Sequence, residues 1–201
     1  MATAFTVLEK ESIRAKLKDE AGRLASSVGM RKTSVDQLAG AAGISKGAFY
    51  KLFYESKELL FLEVFEDWHT EIYGKAREML REKAGLRTED CLYEVFMEML
   101  RLMRSHSILR FMQNDLPFLL RKIPPEMLRS HYHSDDAHIR ELMEDSGVRT
   151  AVTPEQISAI VHVLMYGFLN MEDTAGDEAY ETAKSLLIRS VCRMVIHGEE
   201  S

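Results

Sequence analysis

Residues 33–57 read Thr33-Ser34-Val35-Asp36-Gln37-Leu38-Ala39-Gly40-Ala41-Ala42-Gly43-Ile44-Ser45-Lys46-Gly47-Ala48-Phe49-Tyr50-Lys51-Leu52-Phe53-Tyr54-Glu55-Ser56-Lys57. Thr33 or Ser34 offers a hydroxyl to a free backbone amide of the next turn, and Asp36 or Gln37 can reach back as a capping box. Val35, Leu38, Ala39 and Ala42 then recur at three- and four-residue steps, the spacing of one apolar helical face. Gly43 suits the left-handed backbone just past a helix end, and Ile44 can fold back onto the core. Ser45 caps a second helix that buries Phe49 with Phe53 or Leu52 and turns Lys46, Ala48, Tyr50 and Lys51 outward. The pattern predicts a helix-turn-helix, and the natural target of that motif is duplex DNA.

A major groove about 12 Å wide admits one helix, whose early residues come nearest the base edges. Small Gly47 and Ala48 allow close approach. Tyr50, Lys46 and Lys57 suit phosphate contacts, which give affinity but little sequence information, and Lys51 is the candidate for a direct base contact. The full candidate DNA-binding set is Thr33, Ser34, Ser45, Lys46, Gly47, Ala48, Tyr50, Lys51 and Lys57. Charge divides the chain in the same sense. Residues 1–57 hold 10 Lys/Arg against 6 Asp/Glu; the chain totals of 26 and 32 leave 16 against 26 for the remainder. A local positive face on an acidic body fits a protein that must also release DNA.

Working outward, apolar residues at helical spacing predict a first helix from Glu9 to Val28 and a long helix opened by Ser56 and running through about Lys83. Further helices are expected over Thr88–Arg104 and Ser107–Asn114, then a break at Pro117, and a helix from Pro124-Pro125 to near Asp145. Thr153-Pro154-Glu155-Gln156 is a capped start with proline in the first turn, for a helix to about Met171; Gly176 separates it from a last helix over Asp177–His197. The expected fold class is all α. Residues 1–57 form the helix-turn-helix DNA-binding domain, and residues 58–201 form a helical effector-binding and dimerisation domain. At 201 residues a chain buries about 70% of its unfolded surface. No run of about 20 apolar residues exists, and Met1-Ala2-Thr3-Ala4-Phe5 lacks the character of a signal peptide, so a cytoplasmic location is expected. Cys91 and Cys192 read as buried reduced thiols rather than a disulfide or metal pair.

The stretch from Gly29 to Trp68 resembles the amino-terminal DNA-binding domain of the TetR/AcrR family of bacterial transcriptional regulators. The resemblance is carried by Gly29, Thr33-Ser34, Ala42-Gly43-Ile44-Ser45, Lys46-Gly47-Ala48-Phe49-Tyr50, the aromatic Phe53 or Tyr54, and Ser56-Lys57-Glu58. It covers about the first third of the chain. Met30 stands where the family often has an aromatic, and the run from Tyr50 to Lys57 is one residue longer than the commonest spacing.

The resemblance implies a homodimer whose terminal helices form a four-helix interface, so that two hairpins on one two-fold axis read a palindrome. The apolar residues Ile160, Leu164, Phe168, Leu187, Val191 and Met194 are the candidate dimerisation set. It also implies a small-molecule effector that shifts the long helix and lowers DNA affinity. Phe96, Leu100, Met103, Phe111, Phe118, Met127 and Met165 are candidate walls of a pocket for an apolar or aromatic ligand, methionine supplying adaptable and aromatics flat apolar surface. Two other readings stand beside this regulator: a helical protein-interaction adaptor, and a metal-dependent enzyme using His131, His133 and His138 with Asp135 and Asp136. No spacing matches a strong metal signature, no Gly-rich phosphate loop or nucleophile elbow occurs, and nothing calls for a cofactor or a membrane partner.

Overall fold

Thr6 opens the first helix, α1 (Val7–Ser27). Its hydroxyl accepts from the Glu9 N–H at 3.2 Å, while Glu9 Oε2 takes the Thr6 N–H at 2.7 Å. Glu9 is therefore the third residue of the helix, and α1 begins two residues before its expected start. The computed structural model describes residues 5–105, 108–171 and 177–198. Ser107, Gly176 and Met1-Ala2-Thr3-Ala4 lie outside the described residues. Among those described, every regular element is an α-helix: α2 (Val35–Ala41), α3 (Lys46–Leu52), α4 (Lys57–Glu82), α5 (Thr88–Ser105), α6 (Ile108–Asn114), α7 (Leu116–Leu120), α8 (Pro125–Ser146), α9 (Pro154–Leu169) and α10 (Glu178–His197). Pro117 does not break the chain at 117. It sits in the first turn of α7, where an amide hydrogen has no helical partner to lose.

The helices form two compact units. The first comprises residues up to His69 together with 107–125, so α1, α2, α3, the first part of α4, α6 and α7 pack as one body. Leu17, Ala21 and Leu24 on the inner face of α1 are buried with Leu38 and Ala39 of α2, Phe49 of α3, and Leu60, Phe61 and Phe65 of α4. Phe111 of α6 completes this core. Its ring lies 6.3 Å from Phe61, 5.8 Å from Phe65 and 5.7 Å from Trp68, within the range of favourable aromatic pairing.

The second unit comprises residues 70–106 and 126–201. Its core gathers Ala76 and Leu80 of α4, Cys91, Val95 and Met99 of α5, Ile139 and Leu142 of α8, Ile157 of α9 and Val195 of α10. The α10 helix lies along α5, and α9 also packs on α5. Arg189 of α10 sets its guanidinium 3.7 Å from the centre of the Tyr93 ring of α5, and Tyr93 pairs its hydroxyl with Ser185 at 2.9 Å. Thr153 and Gln156 form the capping box that starts α9. Burial pushes the Cys192 thiol up to about 11 and also raises Cys91, so both remain protonated at neutral pH.

The functional division expected at residues 57 and 58 and the packing division are not the same line. Residues 58–69 and 107–125 pack with the helix-turn-helix, because Phe61, Phe65 and Phe111 share its core.

Candidate nucleic-acid interface

Of the two hydroxyls that could start α2, the structure uses Ser34. Its Oγ accepts from the Gln37 N–H at 3.2 Å, and Gln37 Oε1 takes the Ser34 N–H at 2.8 Å. At the other end of α2 the Gly43 N–H reaches the Gly40 carbonyl at 3.1 Å and the Ile44 N–H reaches Ala39 at 2.9 Å. Gly43 has φ 72°. This pair of bonds is the Schellman closure, which satisfies the last carbonyls of a helix and needs the left-handed residue at that position. Ser45 then caps α3 by accepting from the Ala48 N–H at 3.1 Å.

Phe49 anchors α3 from beneath. It is fully buried and lies 5.6 Å from the ring of Tyr54, while Leu52 is exposed and Phe53 half-buried. With Phe49 inward, the opposite face presents Ser45, Lys46, Gly47, Tyr50 and Lys51 to solvent, with Ala48 half-buried beside them. Tyr50 packs its ring edge-on against Phe49 at 5.4 Å, which steadies it without covering its hydroxyl. Lys46 pairs with Asp36 at 3.0 Å. That hydrogen bond raises the Lys46 pKa, so the side chain stays cationic, and an exposed pair of this kind exchanges easily for a phosphate.

Two members of the expected DNA-binding set are turned elsewhere. Thr33 is 2% exposed, and its hydroxyl donates to the Gly29 carbonyl at 2.9 Å, which turns it inward. Lys57, the first residue of α4, donates from Nζ to the carbonyls of Met30 at 2.9 Å, Arg31 at 3.3 Å and Thr33 at 2.6 Å. The sequence signal for both was their motif position, which does not report side-chain direction.

Behind the hairpin, α1 and the first part of α4 are joined by a polar network. Arg14 donates to Glu63 Oε2 at 3.0 Å and to Tyr54 Oη at 3.2 Å, and Tyr54 donates to the same Glu63 oxygen at 2.7 Å. Lys18 bridges Glu63 at 3.3 Å and Asp67 at 2.5 Å. Burial alone would raise Glu63, but the bonds from Tyr54 and Arg14 hold its carboxyl below its ordinary value. Burial, reinforced by the bond to Glu63, raises the Tyr54 phenol. Of this network Arg14, Lys18, Glu63 and Asp67 line an open cleft of about 640 Å³. The size suits a small molecule, yet walls of Arg14, Lys18, Glu63 and Asp67 are the wrong chemistry for an apolar effector.

The candidate effector residues divide between the units. Phe111 and Phe118 belong to the first, with Phe111 wholly in its core; Phe96, Leu100, Met103, Met127 and Met165 belong to the second. Leu100 and Met103 are buried, and Met165 packs against the core of the second unit. The histidine cluster does not converge. His133 leaves 81% of its side chain in solvent near Asp136, at 4.0 Å, and His138 stacks on Tyr73 at 4.7 Å. His131 instead lies 3.6 Å from the fully buried carboxylate of Asp135, which also takes His162 of α9 at 2.8 Å. His162 was invisible to a reading of α8 alone.

The expected dimerisation residues divide between the inside and the outside of their unit. Ile160 and Val191 pack on the core of their own unit, and Phe168 is buried. The apolar residues that α9 and α10 leave outside are Val163 at 72%, Tyr166 at 54%, Leu186 at 63%, Leu187 at 48% and Met194 at 37%. Leu187 and Met194 were in the expected set; the others were concealed because both faces of these helices are apolar. Leu164 is half-buried.

Comparison with known proteins gives this geometry a context. The model of the bacterial regulatory proteins, tetR family, matches residues 17–64, the span from mid-α1 through the hairpin into α4. The chain is 31% identical over 112 residues to the HTH-type transcriptional repressor KstR2 of Rhodococcus jostii (strain RHA1). That match takes in 55% of this chain and spans about half, 53%, of the relative. A solved TetR-family transcriptional regulator from Pectobacterium atrosepticum superposes with a TM-score of 0.65 at 20% identity, covering 98% of this chain and 100% of its own. RolR in complex with resorcinol gives a TM-score of 0.65 at 17% identity, covering 96% of this chain and 92% of its own. The structural likeness is one of fold, and the likeness of sequence to the tetR family of bacterial regulatory proteins lies in residues 17–64.

Proposed function

We propose that this chain is a ligand-responsive DNA-binding transcriptional regulator, a homodimeric repressor that leaves a palindromic operator when a small apolar or aromatic effector binds. It acts without catalysis, and residues 1–57 touch DNA while residues 58–201 serve the effector and the dimer. The observation that carries the reading is the outward face of α3: Lys46, Tyr50 and Lys51 stand exposed over a buried Phe49, as a helix entering a major groove requires. Ser34 and Ser45, both exposed at helix starts, sit where a phosphate would meet free amides. Lys46 and Tyr50 hold the backbone, and Lys51 reads a base.

The outward stripe of Val163, Tyr166, Leu187 and Met194 supports self-association through α9 and α10, because two hairpins bind a palindrome far more tightly than one. The effector class rests on the buried and half-buried apolar residues Phe96, Leu100, Met103 and Met165 of the second unit and on the aromatic ligand held by RolR. His131, His133 and His138 do not share a site, so the metal-enzyme alternative loses its residue set.

The test is selection of bound duplexes from a random DNA pool, followed by anisotropy titration of the selected sequence. Tyr50→Phe should weaken all sites alike, whereas Lys51→Ala should cost about 1 to 3 kcal/mol and relax preference at one base pair. An equal loss across every base variant for Lys51→Ala would remove its assigned role, and failure to enrich any sequence would remove the regulator reading.

A further inference from the structure

The turn between α1 and α2, residues 28–34, has polar main-chain groups that neither helix satisfies, and two distant side chains take up five of them. Asp115, between α6 and α7, is buried and accepts the Met30 N–H on Oδ2 at 2.9 Å, with the Arg31 N–H on Oδ1 at 3.4 Å. The Arg31 Nε–H donates to Oδ1 at 3.2 Å and compensates the buried charge. From the other side Lys57 supplies the carbonyls of Met30, Arg31 and Thr33. An ammonium has three hydrogens, and three carbonyls use all of them. Gly29 (φ 87°) closes the arrangement: a Cβ there would stand 2.8 Å from Asp115 Oδ2, so only glycine lets the carboxylate approach.

We propose that Lys57 and Asp115 form a clasp on this turn that sets the angle at which α2 and α3 meet DNA, and that both are positioning residues rather than DNA contacts. The proposal rests on the DNA-binding reading above. A buried carboxylate and a fully used ammonium fix the main chain immediately before Ser34, the residue that starts α2. A shift there rotates α2, and with it α3, which packs on α2. Lys57 has no hydrogen left for a phosphate, so its removal releases no DNA counterion.

The experiment uses the full chain and a labelled duplex selected by the wild-type protein, with affinity followed against salt. Each phosphate contact contributes about 0.9 to the slope of log K on log salt. Lys46→Ala removes one contact from each subunit of the dimer and should lower that slope by about twice this amount. Lys57→Met and Asp115→Asn, shown to be folded by thermal unfolding, should lose about tenfold or more in affinity for the selected duplex, as expected when charged hydrogen bonds that orient the hairpin are removed. Their slopes and their binding to random duplex should match wild type, which simple destabilisation or a lost phosphate contact would not produce together. If Lys57→Met does not fold, Lys57→Arg decides. A phosphate contact tolerates arginine, whereas a three-carbonyl cage fitted to an ammonium does not, so an affinity loss is expected and full retention overturns the clasp. A reduced slope in Lys57→Met, or wild-type affinity in folded Asp115→Asn, overturns it as well while leaving the DNA-binding reading intact. Absence of any selected duplex for the wild-type protein overturns both.

Discussion

Gly43 shows how one residue carries the hairpin. Its φ of 72° is costly for a side chain, yet no atom lies within 4 Å of the place a Cβ would take, so the penalty of a substitution is conformational and not steric. Gly43→Ala should therefore destabilise the fold by about 1 to 2 kcal/mol, read as a lower denaturant midpoint with an unchanged slope. Phe111 marks the other kind of residue. It is fully buried among Phe61, Phe65 and Trp68, and Phe111→Ala should cost about 3 to 5 kcal/mol through lost contact and a residual cavity. Calorimetry on the two variants distinguishes a strained turn from a hole.

At the scale of elements, the pairing of α1 with α4 is electrostatic at its edge. Glu63 titrates below its ordinary value of 4.5, so its bonds stabilise the fold above that pH and are lost as pH falls through the lower folded-state value. Glu63→Gln should flatten the acid-side fall in stability between about pH 5 and pH 3, measured by urea unfolding at several pH values; an unchanged profile would place the acid sensitivity elsewhere. The hairpin was legible in the sequence because its signals are local: Ser34 with Gln37, Gly43 with Ile44, and Ser45 are caps whose partners lie within a few residues. The reading did not reach partners distant in sequence. Nothing in the neighbourhood of Lys57 announces its three carbonyls more than twenty residues upstream, and His162 completes the Asp135 pair from another helix. On α9 and α10 the period was clear, but apolar residues on every side hid which face turns outward.

For the molecule as a whole, the proposed assembly rests on the exposed apolar stripe of α9 and α10. A stable dimer buries on the order of 1,200 Å² or more, and charges set in its centre oppose that burial strongly. Val163→Asp combined with Leu187→Asp should give a monomer by sedimentation at micromolar concentration, with helical content unchanged and binding to a palindromic duplex sharply reduced. A persistent dimer would move the interface to another surface.

The first unit is discontinuous along the chain, since residues 107–125 return to it after an excursion of 37 residues through 70–106. A gene fragment stopping at His69 would leave Phe61 and Phe65 without Phe111, and the Met30 amide without Asp115. Such a truncation should be expressed as an insoluble or fluctuating polypeptide, whereas splicing 107–125 back through a flexible tether should restore protection of the α1 and α4 amides against exchange. Anyone transplanting this unit onto a foreign protein would have to carry both pieces of the message, because its core is written in two separate passages of the gene.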